Sequence, residues 1–109
     1  MDRKYANITP AQLAEMIAGK PAPFLLDVRE PFELTAFGAI PGVVNIPMQD
    51  IPERLDDLPD KSAPIVVICQ SGTRSADVSG FLVRKGFLNV YNLAGGTYAW
   101  LTTRGTGKS

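Results

Sequence analysis

The chain has one cysteine, Cys69, and no histidine. Without histidine, Ser-His-Asp and Cys-His activation of a nucleophile are both excluded, as are the commonest general base and the commonest metal ligand. A lone cysteine builds no intramolecular disulfide, no C-x-x-C redox pair and no thiolate zinc cage. If sulfur chemistry occurs, one thiol carries it, and no metal or cofactor is implied. Cys69 is followed by Gln70-Ser71-Gly72-Thr73-Arg74-Ser75, a small, polar, glycine-bearing stretch. Such a loop can curl around the sulfur. Inward backbone N–H groups, the dipole of a following helix and the Arg74 cation would each favour a negative charge there. A thiol with an ordinary pKa of about 8.5 would then be substantially thiolate at neutral pH, an activated nucleophile made without histidine. The competing reading is inert packing, because free cysteine is among the most buried residue types. A core cysteine, however, has no need of a polar loop, a glycine and an arginine beside it.

The elements that must position this loop follow from the sequence pattern. Thr9, Pro10 and Gln12 form a capping box, with Ile8 stapled against Leu13. A helix with Leu13, Met16 and Ile17 as its buried stripe then stops at Gly19, after a lead-in strand over Lys4 to Ile8. Phe24 to Val28, bracketed by Pro21, Pro23 and Pro31, reads as a buried strand. A short helix over Pro31 to Phe37 ends at Gly38, and a turn over residues 39–42 leads into a strand around Val43 to Ile46. A helix is expected over Asp50 to Leu58, with Ile51, Leu55 and Leu58 on one face and Glu53, Asp56 and Asp57 solvated. Ile65 to Ile68 is the most β-branched run in the chain, and Val78, Phe81 and Leu82 mark the helix after it, stopped by Gly86. Val90 to Leu93 is the last strand, and Gly95-Gly96 supplies a positive-φ turn. Helical residues 97–101 follow, then a frayed tail over 102–109.

Strand and helix thus alternate with short connections, which predicts an α/β fold: a parallel sheet covered by helices on both faces. Ligands in such sheets sit beyond the carboxyl ends of the strands, which is where Cys69 falls. Asp77 is expected to cap the first turn of the helix after the loop. Trp100 and Tyr98 are expected to pack on the sheet, and Asp27, Arg29 and Glu33 to ion-pair across a strand-to-helix turn.

At 109 residues and 11.8 kDa the chain fits one domain, taken as residues 1–101 plus the tail. Hydrophobic residues make up 45% and charged residues 20%, which excludes both a disordered polar chain and a membrane span. Eleven basic residues balance eleven acidic ones, leaving no positive field for nucleic-acid phosphates. The N-terminal stretch has no apolar segment of the export type, so a cytoplasmic location is expected, where a lone thiol stays reduced.

Four motifs in order resemble a single-domain rhodanese. They are LLDVREPFE at Leu25 to Glu33, GAIPGVVNIP at Gly38 to Pro47, CQSGTRS at Cys69 to Ser75, and GFLNVYNLAGGTYAW at Gly86 to Trp100. The likeness spans nearly the whole chain. It implies a five-stranded, mainly parallel sheet and a cysteine that carries a persulfide. Cys69 is then the sulfur acceptor, and Gln70, Ser71, Gly72, Thr73, Arg74 and Ser75 form the substrate cradle. The implied activity is thiosulfate sulfurtransferase: the thiolate attacks the outer sulfur of thiosulfate or a similar sulfane donor, sulfite leaves, and cyanide, a small thiol or a protein cysteine removes the added sulfur. Two positions depart from the pattern. Ala39 stands where many relatives carry histidine, with an expected effect on loop packing or substrate approach. Gln70 stands where some carry a basic residue, so thiosulfate affinity is expected to be poor. Two alternatives remain open. A cysteine-loop phosphatase or arsenate reductase places five residues between cysteine and arginine, against four here. A persulfide-carrier or protein-binding module would show little turnover.

Overall fold

The computed structural model describes residues 4–106, with residues 104–106 described by their backbone alone. The expected α/β architecture is present. Five strands, β1 (Ala6–Ile8), β2 (Phe24–Asp27), β3 (Val44–Asn45), β4 (Ile65–Ile68) and β5 (Val90–Leu93), form one sheet in the order β1-β5-β4-β2-β3. Every pairing is parallel. Three helices connect strands, α1 (Pro10–Ala18), α2 (Pro31–Phe37) and α3 (Thr73–Arg84), and α4 (Gly96–Thr106) follows β5. The capping box of α1 forms as the sequence predicts, with Thr9 Oγ1 accepting from the Gln12 N–H and Gln12 Oε1 accepting from the Thr9 N–H.

β4 is the central strand, and all four of its residues are buried. Alternation along it divides the core. Ile65, Val67 and Cys69 face a cluster that includes Leu26, Val28, Ile51, Val78 and Leu82, while Val66 and Ile68 face Leu13, Leu25, Ile40, Leu93 and Trp100 on the other side. The side chain after β4 is therefore committed to the α3 side of the sheet.

Two expectations change. The span Asp50 to Leu58 is not an α-helix but two 3₁₀ segments, Met48–Glu53 and Leu55–Asp57. Pro52 lies inside the first one, where it has no N–H to donate and its ring opposes the carbonyl four residues back, so the chain closes i to i+3 turns instead. Ile51 and Leu58 stay buried nonetheless. The expected tail over residues 102–109 is helical as far as Thr106, because α4 runs on to that residue; residues 107–109 lie outside the described ones. No helix among the described residues is long and apolar enough to cross a membrane.

The first turn of α4 closes on the segment after β4. Thr97 N–H donates to the Cys69 carbonyl at 2.9 Å and Tyr98 N–H to the Gln70 carbonyl at 3.1 Å. That approach requires glycine at position 96, where φ is +63° and an added Cβ would stand 2.5 Å from the Cys69 oxygen and 2.6 Å from the Gln70 carbonyl. Gly96→Ala is expected to cost roughly 2–4 kcal/mol through backbone strain and overlap. Gly19→Ala, whose added methyl meets nothing nearer than 3.5 Å, should stay within about 1 kcal/mol of the parent. Urea unfolding of both variants checks this, and equal midpoints would contradict it.

Candidate active site

Cys69 leaves the carboxyl end of β4 and is only 1% exposed. Its sulfur lies among apolar side chains, as the packing alternative requires, yet polar groups are also aimed at it. The Gly72 N–H donates to Sγ at 3.0 Å, and the Ser75 hydroxyl lies 3.3 Å from the same atom. Gly72 makes this turn possible with φ +102°, a left-handed conformation at the N-cap of α3, and an added Cβ there would stand 3.0 Å from the Gly95 nitrogen. Burial pushes the Cys69 thiol up. The Ser75 side chain, followed by the backbone of Ser75, Gly72 and Ser71, more than offsets that and holds the thiol below its ordinary value.

The remaining loop residues separate into different roles. Ser71 and Thr73 are exposed, Thr73 opening α3. Gln70 turns its side chain toward the end of β2, where its Oε1 accepts from Arg29 Nη1 at 2.8 Å. Arg29 is fully buried and also binds Asp27 in a two-pronged ion pair and the Gly38 carbonyl. Asn45 completes this corner by donating Nδ2 to the carbonyls of Asp27 and Arg29, both at 2.9 Å. The expected Asp27–Arg29 pair is therefore present, but Glu33 is not its third member.

Glu33 instead reaches across to the cysteine loop. Arg74 Nη1 and Nη2 each donate to one Glu33 oxygen at 2.8 Å. Hydrogen bonding to Arg74 outweighs burial and holds the Glu33 carboxyl at about 2. The Arg74 guanidinium interacts electrostatically with Cys69, but its charge is largely answered by Glu33. It is thus part of a neutral pair rather than a free cation over the sulfur.

Two further expectations are corrected, and one site residue is added. Asp77 lies in the second turn of α3, is exposed, and caps nothing, because the helix begins at Thr73, earlier than the polar loop suggests. Trp100 packs under the sheet, but Tyr98 is 63% exposed, since one helical residue points inward and the one two positions before it points out. Asn92 was not identified from sequence and lies at the site: its Oδ1 accepts from the Ser75 hydroxyl. The available signal was a single amide inside the apolar strand VYNL, where burial demands a partner. No group of three or more His, Cys, Asp or Glu among the described residues could hold a metal ion.

The chain is similar to known proteins in sequence and in fold. The sequence profile of the family described as "Rhodanese-like domain" matches residues 9–103. The chain is 45% identical over 94 residues to the protein YtwF of Bacillus subtilis (strain 168), an alignment covering 86% of this chain and 88% of that one. It is 37% identical over 94 residues to a sulfurtransferase of Allochromatium vinosum, covering 86% of each. Among solved structures, a rhodanese-related protein from Thermoplasma volcanium superposes with a TM-score of 0.81 at 39% identity, covering 92% of this chain and 94% of that one.

The Glu33–Arg74 pair yields a prediction with a definite sign. A carboxyl held down in the fold from an ordinary 4.5 to about 2 contributes stability that is complete above pH 4.5 and is lost as pH falls toward 2. Glu33→Gln should cost about 1–2 kcal/mol at neutral pH, a figure moderated by water around the partly open Arg74. It should also flatten the acid limb between those two pH values. Urea midpoints measured from neutral pH downward would show parallel limbs if the pair contributes nothing.

Proposed function

The chain belongs to the rhodanese-like domain family, and from that premise we propose that it is a sulfurtransferase carrying sulfane sulfur on Cys69. The observation that carries this reading is the Gly72 N–H aimed at Sγ, in a loop whose groups hold the thiol below its ordinary value. Gln70, Ser71, Gly72, Thr73, Arg74 and Ser75 form the cradle around the incoming sulfur. The Cys69 thiolate attacks the outer sulfur of thiosulfate or a similar sulfane donor. For thiosulfate a new S–S bond forms, the old one breaks, and sulfite leaves with the bonding pair. One negative charge on cysteine and two on thiosulfate become one on the persulfide and two on sulfite. An acceptor nucleophile then attacks the outer sulfur, and Cys69 departs as thiolate. Acceptors of this kind are cyanide, a small thiol or a cysteine on another protein. Neither step draws on a dedicated acid, so the absence of histidine is no obstacle.

Two contacts bear on the donor. Gln70 is neutral and held by Arg29, and Arg74 is answered by Glu33. A doubly charged donor therefore meets little net attraction, which supports weak affinity for thiosulfate and better use of less charged sulfane donors. The same pairing speaks against a phosphatase. A tetrahedral oxyanion needs the loop arginine as a clamp, and here that arginine is already engaged over a loop one residue shorter.

Incubation with a sulfane donor should leave the protein one sulfur atom heavier by intact mass, with cyanide or reductant removing the addition. Cys69→Ser should take up none while keeping its fold. Arg74→Ala should lower the efficiency of an anionic donor roughly tenfold and still form the persulfide. Absence of the mass gain with thiosulfate, organic persulfide and polysulfide alike would overturn the reading.

A further inference from the structure

Asn92 is buried on β5 behind Cys69, and the orientation of its amide is fixed by its neighbours. Nδ2 donates to the Gly72 carbonyl at 3.3 Å and to Asn7 Oδ1 at 3.0 Å. A backbone carbonyl can only accept, so the atom facing Gly72 is the nitrogen and the atom facing Ser75 is the oxygen. The Ser75 hydroxyl therefore stands between Asn92 Oδ1 and Cys69 Sγ with one proton to give. When Cys69 is a thiol, its S–H donates to Ser75 Oγ and Ser75 donates to Asn92, so every group is satisfied. When Cys69 is a thiolate, two acceptors compete for that proton. If the hydroxyl turns to the sulfur, the buried Asn92 oxygen loses its donor.

We infer that Asn92 is a positioning residue that competes with the Cys69 sulfur for the Ser75 proton, releasing it to the free thiolate and reclaiming it once an added outer sulfur has taken the charge. The second half rests on the persulfide reading of Cys69. In a persulfide the negative charge resides on the terminal sulfur, and Sγ becomes a neutral divalent atom that accepts weakly. The Ser75–Asn92 bond then re-forms, while the loop amides serve the terminal atom. Asn92 thus stabilises both the thiol and the loaded state against the bare thiolate. It raises the thiol's titration midpoint and draws the loading equilibrium toward persulfide. The charged groups around the sulfur are Arg74 on α3 with Glu33 of α2 paired to it, Asp27 with Arg29 beyond β2, and exposed Asp77 one turn along α3. β5 presents the Asn92 amide, and α4 presents Thr97, whose N–H and hydroxyl both bond the Cys69 carbonyl.

Thiolate ultraviolet absorbance followed against pH, with Cys69→Ser as the blank, tests the first half without any sulfur donor. Asn92→Leu should lower the midpoint by about half a unit to one unit, the worth of one hydrogen bond. The same substitution in a Ser75→Ala background should shift it by less than a third of that, since no hydroxyl remains to be held. An equal shift in both backgrounds would mean that Asn92 acts through the loop backbone, and would overturn the inference, as would no shift in either. If Asn92→Leu does not fold, Asn92→Asp replaces it, with an upward shift larger when Ser75 is present; equal shifts again overturn it. For the second half, the ratio of persulfide to unloaded protein at a fixed thiosulfate-to-sulfite ratio, above the thiol midpoint, should fall about three- to tenfold in Asn92→Leu and be unchanged by it in Ser75→Ala. An unchanged ratio in the Ser75-containing protein refutes that half. If wild-type protein takes up sulfur from no donor, the transfer reading and this second half fail together, while the titration still decides the first.

Discussion

A sulfur anion held almost out of water is tolerable only where dipoles already point at it, and the candidate site is organised around that constraint. Cys69 follows a strand whose four residues are all buried, so its side chain starts among hydrocarbon. Desolvation alone would keep it a thiol. The chain answers by turning within three residues at Gly72, which brings that residue's N–H back to Sγ, and by starting α3 immediately afterwards. α4 supplies the complementary half. It takes the carbonyls of Cys69 and Gln70 as acceptors for its first N–H groups, so the oxygens of the loop are engaged on the side away from the sulfur.

Around this core of dipoles the formal charges are arranged in closed pairs. Arg29 is fully buried, which is affordable only because Asp27, the Gly38 carbonyl and Gln70 satisfy its donors. Glu33 and Arg74 close a second pair between α2 and the loop. These pairs fix the corner of the sheet and tether the loop at two points, while leaving little net field at the mouth. The low titration of the Cys69 thiol thus depends on the Ser75 hydroxyl and then on oriented backbone, and the shape of the site on side-chain charge pairs.

Much of this was legible in the residues. The capping box at Thr9, the apolar run at Ile65, the glycines at 95 and 96 and the polar loop after Cys69 each act locally, so local rules find them. Pro52 also acts locally, but its effect was to convert an amphipathic helical pattern into 3₁₀ turns that keep the same buried face, which the periodicity of Ile51, Leu55 and Leu58 does not distinguish. The partners across the site were harder. Glu33 and Arg74 are 41 positions apart, as are Arg29 and Gln70, and Asn92 meets Ser75 across 17. Nothing in the spacing of such residues specifies that strand order β5-β4-β2 will bring them to one end of the sheet.

The clasp that α4 places on the loop has a consequence for how the molecule is made. Cys69, Gln70 and Gly72 are synthesised well before Thr97 and Tyr98, whose N–H groups hold the loop carbonyls. A nascent chain emerging from the ribosome therefore presents a cysteine without its finished surroundings until the last strand and the turn after it have also emerged. During that interval the thiol lacks the fastening that α4 later provides. The side-chain contacts that join the loop to its neighbours span 17 to 41 positions, so no one local element completes the site.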